Sequence, residues 1–127
     1  MLPESVPIFI PFMGALIAMK TPGGSVRAVL AAADRVDLGK LCDLCGEAKK
    51  TVRLASEEDL GREYPEFEPG AVPPFGGAHA DSVVVDLRLA GRESVVLEAG
   101  SHDQSIRLAI ADLLRVAKAR VADICQE

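Results

Sequence analysis

The sequence predicts an α+β domain, a curved, barrel-like mixed β-sheet with flanking helices. Three observations lead there. Short apolar runs suited to strands are interspersed with segments of helical spacing, such as Leu38, Leu41, Cys42 and Cys45. Turn-forming clusters separate them, Thr21-Pro22-Gly23-Gly24 and Gly100-Ser101-His102-Asp103 among them. The chain has 127 residues, 49% hydrophobic but only 4% aromatic, enough for one domain with an aliphatic core.

Taken in order, Met1 to Phe12 is punctuated by Pro3, Pro7 and Pro11 and reads as an extended lead-in. The apolar run Val6 to Met19 lacks a basic leader, is broken by Pro7 and Pro11, and is too short to span a bilayer. Three cysteines, an odd number, form no disulfide framework. A cytoplasmic protein without membrane attachment is therefore expected. Gly14 to Lys20 and Ser25 to Ala32 are strands of a hairpin, turning at Thr21 to Gly24. Asp34 to Asp37 opens a helix that runs to about Cys45, with Gly46 as its stop. Lys49 to Leu54 is a short strand. Ser56 caps a helix with Glu57, Glu58 and Asp59 in its first turn, ending near Glu63. Ser82 to Leu87 is a buried strand, Leu89 to Arg92 a turn, and Glu93 to Ala99 another strand. Gly100 to Asp103 turns tightly into a returning strand, Gln104 to Ala109. Ala111 to Cys125 reads as a closing amphipathic helix, with Leu114, Ala117, Val121 and Ile124 on one face.

The stretch Glu66 to Gly77 fits neither helix nor central strand. Pro69, Pro73 and Pro74 fix φ and lack an N–H, while Gly70, Gly76 and Gly77 admit positive φ. A stiff loop results, and its remaining donors, Gly70-Ala71-Val72 and Phe75-Gly76-Gly77, suit an anion-holding concavity. Other candidate chemistry is thin. Cys42-x-x-Cys45 lies on the apolar face of a helix and reads as core packing. A zinc site needs four ligands, and the chain adds only Cys125, His79 and His102, without paired spacing. No metal or cofactor is expected. The acids from Glu57 to Glu68 read as a solvated face, and His79 as an exposed turn residue. The net charge of −5 argues against broad attraction to nucleic acid, though not against a small local site.

The loop Gly70-Ala71-Val72-Pro73-Pro74-Phe75-Gly76 resembles the signature of the YbaK/ProX family, free-standing relatives of the prolyl-tRNA synthetase editing domain. Further likenesses follow in order: Ala28-Val29-Leu30, Asp34-Arg35-Val36-Asp37-Leu38 and Arg53-Leu54-Ala55-Ser56 before the loop, then Val83-Val84-Val85-Asp86, Glu98-Ala99-Gly100-Ser101 and Ile106-Arg107-Leu108 after it. They run from about Leu16 onward. The resemblance implies a YbaK-like fold and trans-editing: hydrolysis of the ester of mischarged aminoacyl-tRNA carrying a small amino acid, such as on tRNA-Pro. It implies backbone N–H groups of Gly70, Ala71 and Val72 as oxyanion donors, and Pro73, Pro74, Phe75, Gly76, Gly100, Ser101 and His102 at the substrate. Leu16 and Ile17 would add pocket wall. The partners implied are the aminoacyl-tRNA 3′ end and, by association, an aminoacyl-tRNA synthetase. The family's lysine aligns near Met13 to Ala15, where this chain has none. Lys20 is the only lysine of the region and the remaining candidate. The chain also looks short at its N-terminus beside the family, and a second copy in a homodimer is one way to supply the missing wall. The alternative is a non-catalytic YbaK-like domain that binds aminoacyl-tRNA or a small ligand. A third reading is an unrelated domain in which the proline loop is only a connection.

Overall fold

The computed structural model describes residues 13–68, 71–75 and 82–127. The expected lead-in over Met1 to Phe12 lies outside them. Gly14–Thr21 (β1) and Gly24–Ala31 (β2) pair antiparallel along their whole length, from Gly14 opposite Ala31 to Thr21 opposite Gly24. The turn between them closes where Thr21 Oγ1 donates to the Gly24 carbonyl at 3.0 Å. β2 also pairs in parallel with Ser82–Asp86 (β4), which pairs in parallel with Arg120–Ala122 (β7). Arg53–Leu54 (β3) adds to the other side of β1, giving the order β3-β1-β2-β4-β7. The sheet stays open, with β3 and β7 as its edges. Ser94–Glu98 (β5) and Ser105–Ala109 (β6) form a separate antiparallel ribbon, joined to the start of β1 by a bridge between Met13 and Val96.

Both faces of the five-stranded sheet are covered. Val26, Ala28 and Leu30 of β2 face one core with Met19, Leu41, Cys42, Val84, Ile124 and Cys125. Val29 faces a second core with Val83, Val85, Leu89, Val95, Leu97, Ile110 and Leu113. Double-sided burial is why β2 and β4 read as near-continuous apolar runs rather than alternating ones.

The first core is roofed by Leu38–Cys45 (α1). Asp37 caps it by accepting the Lys40 N–H at 3.1 Å, and Gly46 ends it at φ 73. Cys42 is buried in that core and Cys45 packs beside it, so the pair acts as small apolar residues. Glu57–Glu63 (α2) starts with a capping box between Ser56 and Asp59. Asp59 also takes the guanidinium of Arg53 and that of Arg62, the latter at 2.7 Å.

Three expected elements differ. Lys49 to Leu54 divides into a 3₁₀ turn, Lys49–Thr51, and the two-residue β3. The expected turn Leu89 to Arg92 begins within a one-turn helix, Leu87–Ala90 (α3), capped where Asp86 accepts the Arg88 N–H. The closing helix stops early, spanning Ile110–Ala117 (α4), with Lys118 at φ 51 as its left-handed cap. The reason is topological. Leu113, Leu114 and Ala117 belong to the second core, whereas Ile124 and Cys125 belong to the first, across the sheet. One straight helix cannot serve both faces, so the chain crosses at the sheet edge as β7, where Val121 is 40% exposed. Among the described residues no helix is long and apolar enough to cross a membrane.

Two stability predictions follow from the polar anchors. Asp86 is fully buried and accepts two backbone N–H groups, Arg88 and Ile124, each at 3.1 Å. Asp86→Ala leaves both donors without acceptors and should cost about 2–4 kcal/mol in urea unfolding. Asp59's carboxyl is held well below the usual carboxylate range, first by its bond to Arg53 and then by the Ser56 backbone. A depressed carboxylate stabilises the fold above its unfolded pKa and loses that contribution as pH falls toward the folded value. Asp59→Asn should therefore lower Tm at pH 7, and its gap to the wild type should narrow below about pH 4.

Candidate functional site

The proline loop is described from Ala71 to Phe75. Gly70, Gly76, Gly77 and His79 lie outside the described residues. The loop is tied to the Gly100 turn, although some thirty residues separate them along the chain. Glu68 N–H donates to the Gly100 carbonyl at 2.8 Å, Gly100 N–H to the Ala71 carbonyl at 3.0 Å, and His102 N–H to the Glu68 carboxylate at 3.2 Å. Gly100 sits at φ +97 with Phe67 beneath it; a Cβ there would lie 2.9 Å from Phe67 Cδ1. The turn thus needs glycine for conformation and for space.

Beside this junction is a cavity of about 250 Å³. Its walls are Met13, Gly14, Ala15 and Leu16 from the start of β1, Ala32 after β2, Val72 from the loop, and Leu97 and Glu98 from β5. It forms where the ribbon approaches the main sheet. The approach is close: a Cβ on Gly14 would lie 2.7 Å from Leu97 Cδ2 and 2.8 Å from Val95 Cγ2. The lining is apolar except for Glu98. Glu98 Oε2 lies 2.6 Å from His102 Nδ1, so the histidine is placed at the cavity's border between Glu98 and Glu68.

The backbone donors of the loop are not equivalent. The Ala71 N–H is spent on the Glu68 carbonyl at 3.0 Å. The Val72 N–H, in a residue only 4% exposed, finds no acceptor among the described residues. Pro73 and Pro74 are buried. The Pro73 carbonyl accepts Arg27 Nη1–H at 2.7 Å, and Phe75 packs on the second core.

The structure brings Ala71, Gly100 and His102 together at the junction, with Leu16 and Val72 in the cavity wall. Ser101 follows Gly100, and its carbonyl accepts the Gln104 N–H at 3.3 Å. Ile17 packs toward the first core, on the opposite face. Lys20 lies at the far end of β1, paired with Glu63, beside a separate cleft lined by Lys50 and Arg53. Seven residues of strand place it roughly 23 Å from Met13. Met13, Gly14, Ala15, Ala32 and Glu98 were not singled out from sequence as wall residues. The glycine opening an apolar strand was their one visible signal.

For metals, Asp34, Asp86 and Cys125 bring one ligand atom each within 4.8 Å of one another. Both Asp86 oxygens are already engaged by backbone donors. Burial first, and Asp86 next, push the Cys125 thiol up to about 12. In this arrangement the Asp86 oxygens serve as acceptors for backbone donors at the Arg88 and Ile124 amides.

The fold is an α+β domain in which a small, largely apolar cavity is bordered by the proline loop. The model of the aminoacyl-tRNA editing domain matches residues 16–116, and the chain belongs to that family. Among solved structures, it is 25% identical to a candidate trans-editing enzyme for prolyl-tRNA synthetase, with a TM-score of 0.80 over 91% of this chain and 71% of that one. The hypothetical protein APE2540 shares the fold at 22% identity, with a TM-score of 0.80 over 90% of this chain and 74% of that one. A scaffold from a computational epitope-grafting study does so at 23% identity, with a TM-score of 0.82 over 93% and 74%. No curated protein matches the chain in sequence.

Replacing Gly100 by alanine tests the junction. The combination of positive φ and the Phe67 contact should cost about 1–3 kcal/mol of stability in chemical denaturation.

Proposed function

We propose that the protein is a trans-editing aminoacyl-tRNA deacylase of the cytoplasm. It hydrolyses the ester between a small amino acid and the 3′-terminal ribose of tRNA, with tRNA-Pro as the leading case. The observation that carries this reading is the Val72 N–H, without an acceptor among the described residues, in a proline loop at the wall of a small apolar cavity. Membership of the editing family supplies the substrate class.

The ester is already activated, so no covalent nucleophile is needed. Water adds to the carbonyl carbon, and the carbonyl oxygen becomes an oxyanion. The C–O bond to the ribose then breaks, the ribose oxygen keeps a proton from the water, and the amino acid leaves. The chain's part is to hold the oxyanion with preorganised backbone donors, Val72 and, from the same motif, Gly70. Ala71 N–H is occupied within the loop and serves its shape instead. The amino-acid side chain rests against Leu16, Ala32 and Leu97. An apolar wall of this kind discriminates by only about 1–3 kcal/mol per methylene, so alanine, serine and cysteine remain close competitors.

A second reading has its own observation. Among the described residues no lysine or arginine lines the cavity, and the family lysine aligns near Met13 to Ala15, all three of them wall residues. On that reading the domain binds aminoacyl-tRNA without turning it over.

The test is deacylation of a panel of tRNAs charged with small amino acids, beside Val72→Pro, which removes one donor. The deacylase reading expects ester loss above the spontaneous rate, reduced roughly 10²–10³-fold in the variant. Binding of charged tRNA without turnover would establish the binding domain, and neither binding nor turnover would defeat both readings.

A further inference from the structure

Arg27 is the one charged residue of β2, and it is 2% exposed. Its strand neighbours in register are Ala18 and Val83, both buried, so the guanidinium starts from the middle of an aliphatic sheet. Burying such a charge costs several kcal/mol unless its donors are satisfied. Two of its contacts reach the proline loop and the segment leading into it. Nη1–H donates to the Pro73 carbonyl at 2.7 Å, and the guanidinium lies 4.9 Å from the centroid of Tyr64, itself buried. Tyr64 follows α2 and leads into the loop, while Pro73 lies within it. The cation–π contact and the hydrogen bond therefore hold both sides of the loop to the central strand.

The loop needs such an anchor. Pro73 and Pro74 have no N–H, and among the described residues the Val72 N–H has no acceptor. Among the described residues, the bond from Arg27 is the one that ties 72–75 to the main sheet. The peptide that presents the Val72 N–H is held directly through its own carbonyl, Ala71, by Gly100 N–H at 3.0 Å. The Pro73 carbonyl lies two peptide units further on, and fixing it stops the chain on the far side of Val72 from swinging about that anchor. We infer that Arg27 is a positioning residue: it holds the Pro73 carbonyl and so keeps the Val72 donor in place at the cavity wall. Its consequence for catalysis rests on the deacylase reading; its effect on the loop does not.

The experiment compares Arg27→Met and Arg27→Lys with the wild type by residue-resolved hydrogen exchange and by deacylation kinetics. Methionine fills the site without the charge, and such replacements of buried ions are often neutral for stability. In Arg27→Met, exchange of the Ala71 and Gly100 amides, which are hydrogen-bonded at the junction, should rise about tenfold or more while the amides of β2 and β4 stay protected. kcat should fall on the order of 10²-fold with KM little changed, because the donor is misplaced and the cavity is not. Arg27→Lys keeps a donor without the planar fork and should give intermediate values in both measurements. Wild-type exchange at Ala71 and Gly100 in Arg27→Met overturns the inference, as does a freed loop with unchanged kcat. If Arg27→Met does not fold, Arg27→Lys decides in the same way through exchange at those two amides. If the wild type does not hydrolyse any charged tRNA, the deacylase reading falls and the exchange data alone decide the positioning role.

Discussion

The burial of β2 on both faces is the constraint from which the other arrangements follow. A strand in that position needs a partner on each edge and a core on each side. β1 comes from the hairpin, and β4 must arrive in parallel by a long crossover. That crossover carries α1, α2 and the proline loop. α1 goes to one face of the sheet, while Phe75 at the loop's end packs on the other. The ribbon β5-β6 completes the second core. Where it meets the start of β1, the side chains of Val95 and Leu97 leave room only for Gly14. The cavity is the space left beside that crossing, so its position is a product of packing two sheets rather than of the loop alone.

The loop is stiff but poor in internal bonds, and these properties have one cause. Proline removes torsional freedom and donors together. A segment of this kind keeps its shape only if outside groups hold its carbonyls. Gly100 N–H does so at Ala71 and Arg27 at Pro73, from opposite sides. The arrangement leaves Val72 N–H, between two fixed carbonyls, with no acceptor among the described residues. A buried donor without a partner costs about 1–3 kcal/mol. Such a cost is retained most readily where a ligand oxygen repays it.

Much of this was legible in the sequence, for identifiable reasons. The hairpin, α1 with its Asp37 and Gly46 ends, and the Ser56 cap follow from local chemistry acting over three or four residues. The loop was marked by its prolines and glycines. What could not be read depends on which face of the sheet a residue reaches. The apolar spacing from Leu114 to Ile124 is compatible with one long helix; only the presence of two cores on opposite faces divides it into α4 and β7. Likewise Ala71 and Val72 look equivalent as donors in sequence. Their difference arises because Glu68 turns back within the loop to take the Ala71 N–H. Arg27 was not singled out from the sequence, since Tyr64 and Pro73, two of the residues it meets, lie 37 and 46 residues away.

The placement of the lysines bears on what chemistry the cavity can support. Lys20 is neutralised by Glu63 at one end of β1, and the cavity lies at the other end, walled by Met13. With no cation in the described wall, an oxyanion formed there would rely on backbone dipoles. Those are effective only when they do not have to reorganise as charge develops. The demand for rigidity is then greater than in a site with a mobile ammonium group, which can follow the charge. A loop with two consecutive prolines, a glycine junction at Gly100 and a buried guanidinium on its backbone is how this fold meets that demand. The lone carboxylate, Glu98, is drawn toward His102. That pairing reduces the repulsion it would otherwise exert on a developing negative charge.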